Sequence, residues 1–310
     1  ALNKAQNYAL MKKYFGETAL FSMTIIWGAT FALMKDAFSD ISPTLFVGIR
    51  FTIAALLIIP FAFNRLIVIN KQTFLAGSIL GVFYFSGFAT QTIGLNLTTA
   101  TKSGFITGTF VVFIPILQLI IERRKPGWFN LISIVLVLIG LLMLSSGGDN
   151  VISFMQKLGS DFNLGDLLTL ICALLFAFQV VYVDVFTKKY DYLPMVFVQL
   201  LISAIGGFLL AAVFSVTSLE TVRFTLTGNL IFTVLYTSVF ASVLATIIQL
   251  KYQKVVSPTK AGIIYSIEPI FAAVFAYFLL NEKISNFGLI GCVLIFLGLI
   301  LSEIFSTKNE

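Results

Sequence analysis

The chain has no histidine among its 310 residues, and only 11% of its residues are charged. The absence of histidine excludes histidine metal sites, histidine proton relays and Ser-His or Cys-His catalysis. The scarcity of charge excludes a water-soluble protein, since soluble domains carry about 25% charged residues. The two cysteines, Cys172 and Cys292, lie in apolar runs. We therefore expect them to be packing residues without a disulfide framework.

The chain is rich in hydrophobic residues, which make up 58% of it and give a mean hydropathy of +1.00. A helix of about 20 residues crosses a bilayer, and apolar runs of that length recur ten times. The runs cover residues 15–37, 43–63, 73–95, 101–121, 128–146, 164–187, 193–216, 228–251, 258–280 and 286–305. They lack the alternating polarity of β-barrel strands. The predicted fold class is an all-α integral membrane protein with ten transmembrane helices.

The net charge of +6 is unevenly distributed between the ends of these spans. Of the 20 Lys and Arg residues, 13 fall on the side of the termini and 5 on the opposite side, while Arg50 and Lys260 lie within spans. Positive charge collects on the cytoplasmic side of bacterial-type membranes. We therefore expect a multi-pass inner (plasma) membrane protein with cytoplasmic termini, no cleavable signal and no nucleic-acid partner.

The two halves of the chain resemble each other. Span four opens with Thr101-Lys102-Ser103-Gly104 and span nine with Thr259-Lys260-Ala261-Gly262, and each continues to a proline, Pro115 or Pro269. The lysine-to-proline spacings differ by about one helical turn, which predicts a repeat without strict register. Five spans per half is an odd number, so the halves, 12–147 and 164–306, are expected to be inverted five-helix repeats joined by the loop 147–163.

Several motifs carry a family resemblance. They are Trp27-Gly28-Ala29-Thr30-Phe31, Ser266-Ile267-Glu268-Pro269, Asn281-Glu282-Lys283-Ile284-Ser285, and the following Gly288, Gly291 and Gly298. On these residues the whole chain resembles the drug/metabolite transporter superfamily, specifically its EamA-type ten-helix members. The resemblance implies two inverted repeats, a central cavity and alternating access. It also implies export of amino acids, other small metabolites or drugs, without naming the substrate.

Polar side chains within the spans predict where a cavity lies, because they are costly in lipid. Gln91, Gln179 and Gln249 bring full amides into the apolar layer, whereas the neighbouring Ser, Thr and Gly residues are better explained as helix packing surfaces. Glu268 lies halfway along its span beside Pro269, which is expected to kink the helix there. It is either a functional acid or one that only holds helices together. Arg50 lies at a similar depth in the membrane, so we expect it to interact with Glu268.

The predicted substrate-binding residues combine these polar groups with aromatic ones. They are Trp27, Arg50, Tyr84, Gln91, Gln179, Gln249, Tyr265 and Glu268. The expected function is a secondary transporter of small organic metabolites, with a small-molecule substrate, no metal, no cofactor and a monomeric state within the lipid bilayer. The chain has no phosphate-binding lysine loop, so we do not expect ATP to drive transport directly. Uniport, proton antiport through Glu268 and exchange are all compatible with the sequence.

Three other functions are less well supported. An exchanger of phosphorylated or nucleotide-linked sugars would need several basic groups in the cavity, and only Arg50 and Lys260 qualify. An enzyme would need a catalytic constellation, which these residues do not supply. A membrane scaffold would need a large exposed domain, and the loops are too short for one.

Overall fold

The computed structural model describes residues 2–145, 152 and 162–306. This part of the chain contains ten helices long and apolar enough to cross a membrane, which confirms the predicted fold class. They are α1 (Leu2–Ala37), α2 (Pro43–Leu66), α3 (Lys71–Leu97), α4 (Ala100–Glu122), α5 (Trp128–Ser145), α6 (Leu164–Thr187), α7 (Tyr192–Val216), α8 (Gly228–Val255), α9 (Pro258–Leu280) and α10 (Asn286–Ser306). Most of the predicted central loop, including Lys157, lies outside the described residues, as does Lys308.

Except at the start of α1, which begins at Leu2 and not at residue 15, the helix limits agree with the predicted spans to within about one helical turn. Local signals explain several of these limits. The side chain of Asn70 accepts a hydrogen bond from the backbone N–H of Thr73 at the start of α3. Thr227 caps α8 in the same way, through the N–H of Leu230. Such caps satisfy backbone donors that the first helical turn leaves free.

The outer surface of the bundle is apolar. Phe61, Trp128 and Phe278 each expose more than two thirds of their accessible surface. An exposed apolar surface of this kind is unfavourable in water and favourable against lipid tails. The described part of the molecule is therefore a multi-pass membrane protein, with lipid covering most of its sides.

Three of the helices are interrupted, whereas the sequence predicted a kink in α9 alone. In α4 the α-helical hydrogen bonding breaks at Thr109, and in α9 it breaks between Tyr265 and Glu268. Pro269 explains the second break, because it lacks the N–H that would bond to the carbonyl of Tyr265. In α8 the segment Thr237–Leu244 is a π-helix, a rare winding that is frequent at functional sites.

The helix contacts are similar in the two halves, in which α1 to α5 correspond in order to α6 to α10. The corresponding helices of three pairs pack against each other, namely α2 with α7, α4 with α9 and α5 with α10. In addition, α3 packs on α6 and α7, just as its counterpart α8 packs on α1 and α2. In the α2/α7 pair the backbones nearly touch, since a Cβ added at Gly207 would lie 2.5 Å from the amide nitrogen of Gly48. Small residues permit such close approach in membranes.

A constant offset of 158 residues relates the ends of α4 to those of α9 and the start of α5 to that of α10. The same offset relates Lys102 to Lys260, and Arg123 to Asn281. Arg123 and Asn281 both end their helices in the left-handed conformation, with a φ of 57°. The expectation of a repeat without strict register is therefore wrong for this part of the chain. Only the proline changes position, from Pro115 to Pro269.

Candidate functional site

A central cavity of about 40 Å³ lies among α1, α3, α4, α6, α8 and α9. The lining side chains are Trp27, Thr30, Tyr84, Phe88, Gln91, Phe110, Phe176, Gln179, Val180, Gln249, Tyr265 and Glu268. The cavity thus brings together seven of the eight residues that the sequence singled out, drawn from both halves of the chain.

The interruptions in α4 and α9 position two of the lining residues. Phe110 and Glu268 are the first residues of the helical segments that follow the two breaks, and the offset between the halves makes them counterparts. α1 approaches the break in α9 closely at Gly28, where an added Cβ would lie 3.0 Å from the carbonyl oxygen of Glu268. The family motif around Trp27 therefore provides a small residue at the point where α1 meets the acidic residue.

Glu268 is the only charged residue in the lining. Its side chain is buried, with 7% of the residue exposed, and makes no hydrogen bond or ion pair with any described residue. Intramembrane carboxylates normally pair with another group. The cavity is therefore an electronegative site in a largely apolar surrounding.

Aromatic rings form much of the wall in two groups. Trp27 and Tyr265 pack edge to face with their ring centroids 5.5 Å apart. Phe88 packs edge to face with Phe176 at 5.0 Å and with Tyr84 at 4.6 Å. The rings hold one another in fixed orientations, because edge-to-face contacts are the favoured arrangement of aromatic pairs.

Amides and hydroxyls connect the helices around the cavity. Gln179 and Gln249 form a reciprocal pair, in which each Nε2 donates to the other's Oε1 at 3.2 and 3.1 Å. The hydroxyl of Tyr265 donates to Gln253, and that of Tyr84 is hydrogen-bonded to Thr246. These bonds satisfy polar groups that would otherwise be buried without partners.

Arg50 is the predicted site residue that does not line the cavity. Its Nε donates to Ser242 Oγ at 2.8 Å, and its guanidinium lies over the ring of Phe88, 4.6 Å from the centroid. The predicted ion pair with Glu268 is absent from the salt bridges of the described residues. The correction has a physical reason, since an aromatic face and a hydroxyl stabilise this cation without a carboxylate.

Two lysines near the starts of α4 and α9 lie at opposite ends of the bundle, and Lys102 is half-buried while Lys260 is buried. Lys102 pairs with Asp166 of α6 at 2.6 Å, and Lys260 pairs with Glu17 of α1 at 2.5 Å and with Glu303 of α10 at 2.8 Å. Because α6 is the counterpart of α1, the Lys102–Asp166 and Lys260–Glu17 pairs occupy equivalent places in the two halves. We call them the two end clasps.

The starts of α4 and α9 are each capped by a residue near the far end of the other helix. Glu282, just after α9, accepts from the backbone of Ala100 and Thr101 in α4. Gln118, near the end of α4, accepts from the backbone N–H of Thr259 in α9 at 3.2 Å. The two helices are therefore joined head to tail at both ends, where their unpaired N–H groups need acceptors.

Comparison with known proteins identifies the family. The EamA-like transporter family matches the chain twice, over residues 14–146 and 163–304. An uncharacterized transporter of Archaeoglobus fulgidus is 30% identical over 291 residues, which cover 94% of this chain and 86% of the relative. The uncharacterized transporter YoaV of Bacillus subtilis is 23% identical over 94% of this chain and 97% of its own length.

One solved crystal structure shares the fold, with a TM-score of 0.70 at 15% identity, over 95% of this chain and 98% of the other. Within the described residues no three His, Cys, Asp or Glu side chains come together as a metal site. The family and its relatives are transporters rather than enzymes, in keeping with a polar cavity at the centre of ten membrane helices. The chain therefore belongs to the EamA-like transporter family, within the drug/metabolite transporter superfamily.

Proposed function

We propose that the protein is a secondary carrier that exports small organic solutes, such as amino acids, other metabolites or drugs, by alternating access to the central cavity. The seven predicted residues that line the cavity contact the solute. Arg50 acts indirectly, because it holds the wall residue Phe88 and anchors α2 to α8 through Ser242. Functional groups fixed by neighbouring side chains are the usual basis of a selective site.

The observation that carries this proposal is the pair of end clasps. Alternating access requires that either end of the cavity can close while the other opens. Lys102–Asp166 ties α4 to α6 at one end, and Lys260–Glu17 ties α9 to α1 at the other. Equivalent clasps at opposite ends supply two interchangeable gates, and breaking one pair leaves the other in place.

We propose that the two gates arise from inverted repeats, residues 12–147 and 164–306. The double match to one family, the constant offset between α4–α5 and α9–α10, and the similar helix contacts of the two halves all support a repeat. Five helices in each half then make the repeats opposite in orientation. One cavity lies within one chain, which supports a monomer as the functional unit.

The distribution of Lys and Arg supports an inner-membrane location with both termini in the cytoplasm. Under this orientation Lys260–Glu17 is the cytoplasmic clasp and Lys102–Asp166 the external one. Contacts between loops agree with the assignment of sides. Arg65 bonds to Asp191, and both belong to loops predicted to be cytoplasmic. Asp40 bonds to Thr227, between two loops predicted to be external, at 2.5 Å.

The alternative of a sugar-phosphate or nucleotide-sugar exchanger is disfavoured by charge. Recognition of such anions uses clusters of Arg and Lys. The lining contains no basic residue, Arg50 is engaged elsewhere, and Lys260 is paired with two carboxylates. The one charged lining group, Glu268, repels anions.

The proposal is tested by equilibrium counterflow in proteoliposomes that hold the purified full-length protein. A labelled mixture of neutral, aromatic and basic amino acids and of aromatic amines is offered with and without an imposed pH gradient. We expect saturable movement of a subset of the cations or zwitterions. Movement restricted to sugar phosphates, or no movement of any solute by protein with an intact thermal transition, would contradict it.

A further inference from the structure

The described residues contain four buried acidic side chains, and three of them have a lysine partner. Asp166 pairs with Lys102, Glu17 with Lys260, and Asp184 with Lys188. Glu268 is the fourth, and it has none. A buried carboxylate requires a cation or donor to compensate for lost hydration. The missing partner of Glu268 is therefore a property of the cavity that needs an explanation.

No cation of the described residues is placed to supply that partner. The guanidinium of Arg50 bonds to Ser242 and rests over the rings of Phe51 and Phe88. Lys260, eight residues before Glu268, is held by two carboxylates at the end of the bundle. The space next to Glu268 is instead the cavity itself, so its counter-ion comes from what enters there.

The rest of the lining specifies what kind of cation would be held. Six of the twelve lining residues are aromatic, Trp27, Tyr84, Phe88, Phe110, Phe176 and Tyr265. Aromatic faces attract organic cations and also pack against an apolar body. Gln91 uses one bond of its amide, to Thr107 at 3.4 Å, which leaves further hydrogen-bonding capacity for the N–H groups of an ammonium. A free carboxylate on the solute would meet no positive partner.

We propose that the cavity selects solutes with a protonated amine on an apolar or aromatic body and without a carboxylate, with Glu268 as the counter-ion of the ammonium. This inference rests on the proposed function, since it names the substrate class of the same cavity. It distinguishes aromatic amines from the corresponding amino acids, alcohols and carboxylates. Glu268 contacts the charged end, while the two aromatic groups contact the body.

Tryptophan fluorescence can report ligand binding to the cavity without a transport assay. It has two tryptophans. Trp27 lines the cavity, and Trp128 is exposed on the outside of α5. A Trp128→Phe variant therefore carries a single tryptophan in the cavity. The reverse variant, Trp27→Phe, reports only partition of the ligand into the surrounding lipid or detergent and serves as the matched control.

The test titrates Trp128→Phe protein with 2-phenylethylamine, 2-phenylethanol, phenylacetate and phenylalanine, and follows Trp27 fluorescence. We expect 2-phenylethylamine to bind saturably and about tenfold or more tightly than the other three ligands. It alone combines an ammonium for Glu268 and a phenyl ring for the aromatic wall with the absence of a carboxylate. The preference should disappear in Glu268→Gln and persist in part in Glu268→Asp, while Trp27→Phe shows only non-saturable change.

Equal affinity for the amine and the alcohol would overturn the proposal, and so would tighter binding of phenylacetate or no saturable response to any ligand. The ligand series on otherwise native protein gives this answer even if Glu268→Gln does not fold. Counterflow separates the two proposals. Saturable amine binding without amine transport would contradict the proposed carrier function but support the amine site. Transport of neutral or anionic solutes alone would support a carrier but contradict the amine site.

Discussion

Lys102 and Lys260 occupy equivalent positions in the two halves of the chain and bind carboxylates at opposite ends of the same cavity. Removing one of them is therefore expected to bias which end opens. Breaking a buried ion pair costs about 3–5 kcal/mol, and a bias of about 1.4 kcal/mol already changes a population ratio tenfold.

The first prediction concerns access to the cavity. With both native cysteines replaced by alanine, a Thr30→Cys reporter in the lining is labelled with a membrane-impermeant thiol reagent from either side. Lys260→Met should raise labelling from the side of the termini about tenfold, and Lys102→Met from the opposite side. Lys188→Met is the control, because the carboxylate that Lys188 pairs with, Asp184, lies one turn earlier on the same helix. Both lysine variants opening the same side would refute the gate assignment.

The second prediction concerns coupling to protons. Glu268 is the only carboxylate in the lining, and the other titratable lining groups, Tyr84 and Tyr265, are bonded to Thr246 and Gln253. An ammonium and a proton would then compete for one carboxylate. We expect Glu268→Gln to lose pH-gradient-driven accumulation in proteoliposomes by about tenfold or more while counterflow continues at lower affinity.

Asp191→Asn is the control for that experiment, since Asp191 lies in a loop and asparagine also caps a helix start. Uphill transport by Glu268→Gln that equals the native rate, with an unchanged response to the gradient, would remove Glu268 from the coupling step.

The third prediction concerns the contact between α1 and α9. A Cβ at Gly28 would lie 2.4 Å from the Cβ of Phe271 and 2.9 Å from the nitrogen of Ala272. Gly28→Ala must push the helices apart, and overpacking of this kind costs about 1–3 kcal/mol. We expect a lower thermal transition in detergent. Gly228→Ala, where an added Cβ meets no atom within 4 Å, should leave it unchanged, and equal transitions for the two variants would contradict the close contact.

The fourth prediction concerns the Gln179–Gln249 pair, whose two hydrogen bonds join α6 to α8. Either single change to leucine leaves a buried amide without its partner, which costs about 1–3 kcal/mol. The double variant removes both amides and should recover much of the loss. The measurement is a double-mutant cycle of unfolding free energy in mixed micelles, and strictly additive effects would show that the two amides are not coupled.

The sequence predicted the parts of this molecule that depend on local pattern. Spanning length and hydropathy located all ten helices. The cost of polar groups in lipid, combined with the positions of aromatic residues, led to seven residues that converge on one cavity. Pro269 indicated a weak point in α9, and the helix does break immediately before it. Each of these features follows from a few neighbouring residues.

The features that the sequence did not predict depend mainly on contacts between distant segments. The placement of Arg50 over Phe88 involves two helices, and depth alone suggested Glu268 as its partner instead. Asp166 and Glu17 were missed as partners of the lysines, because they lie near the ends of the predicted spans, where charges are ordinary. The π-helix of α8 has no sequence signal of the kind that proline gives.

That π-helical segment, Thr237–Leu244, has no equivalent in α3, the counterpart of α8, which is α-helical throughout its 27 residues. A carrier with two identical halves would have inward-open and outward-open forms that are related by a two-fold axis in the membrane plane and equal in free energy. The wider winding of α8 is one difference between the halves that removes this equality. Under the proposed mechanism the resting protein therefore favours one side of the membrane before any gradient acts.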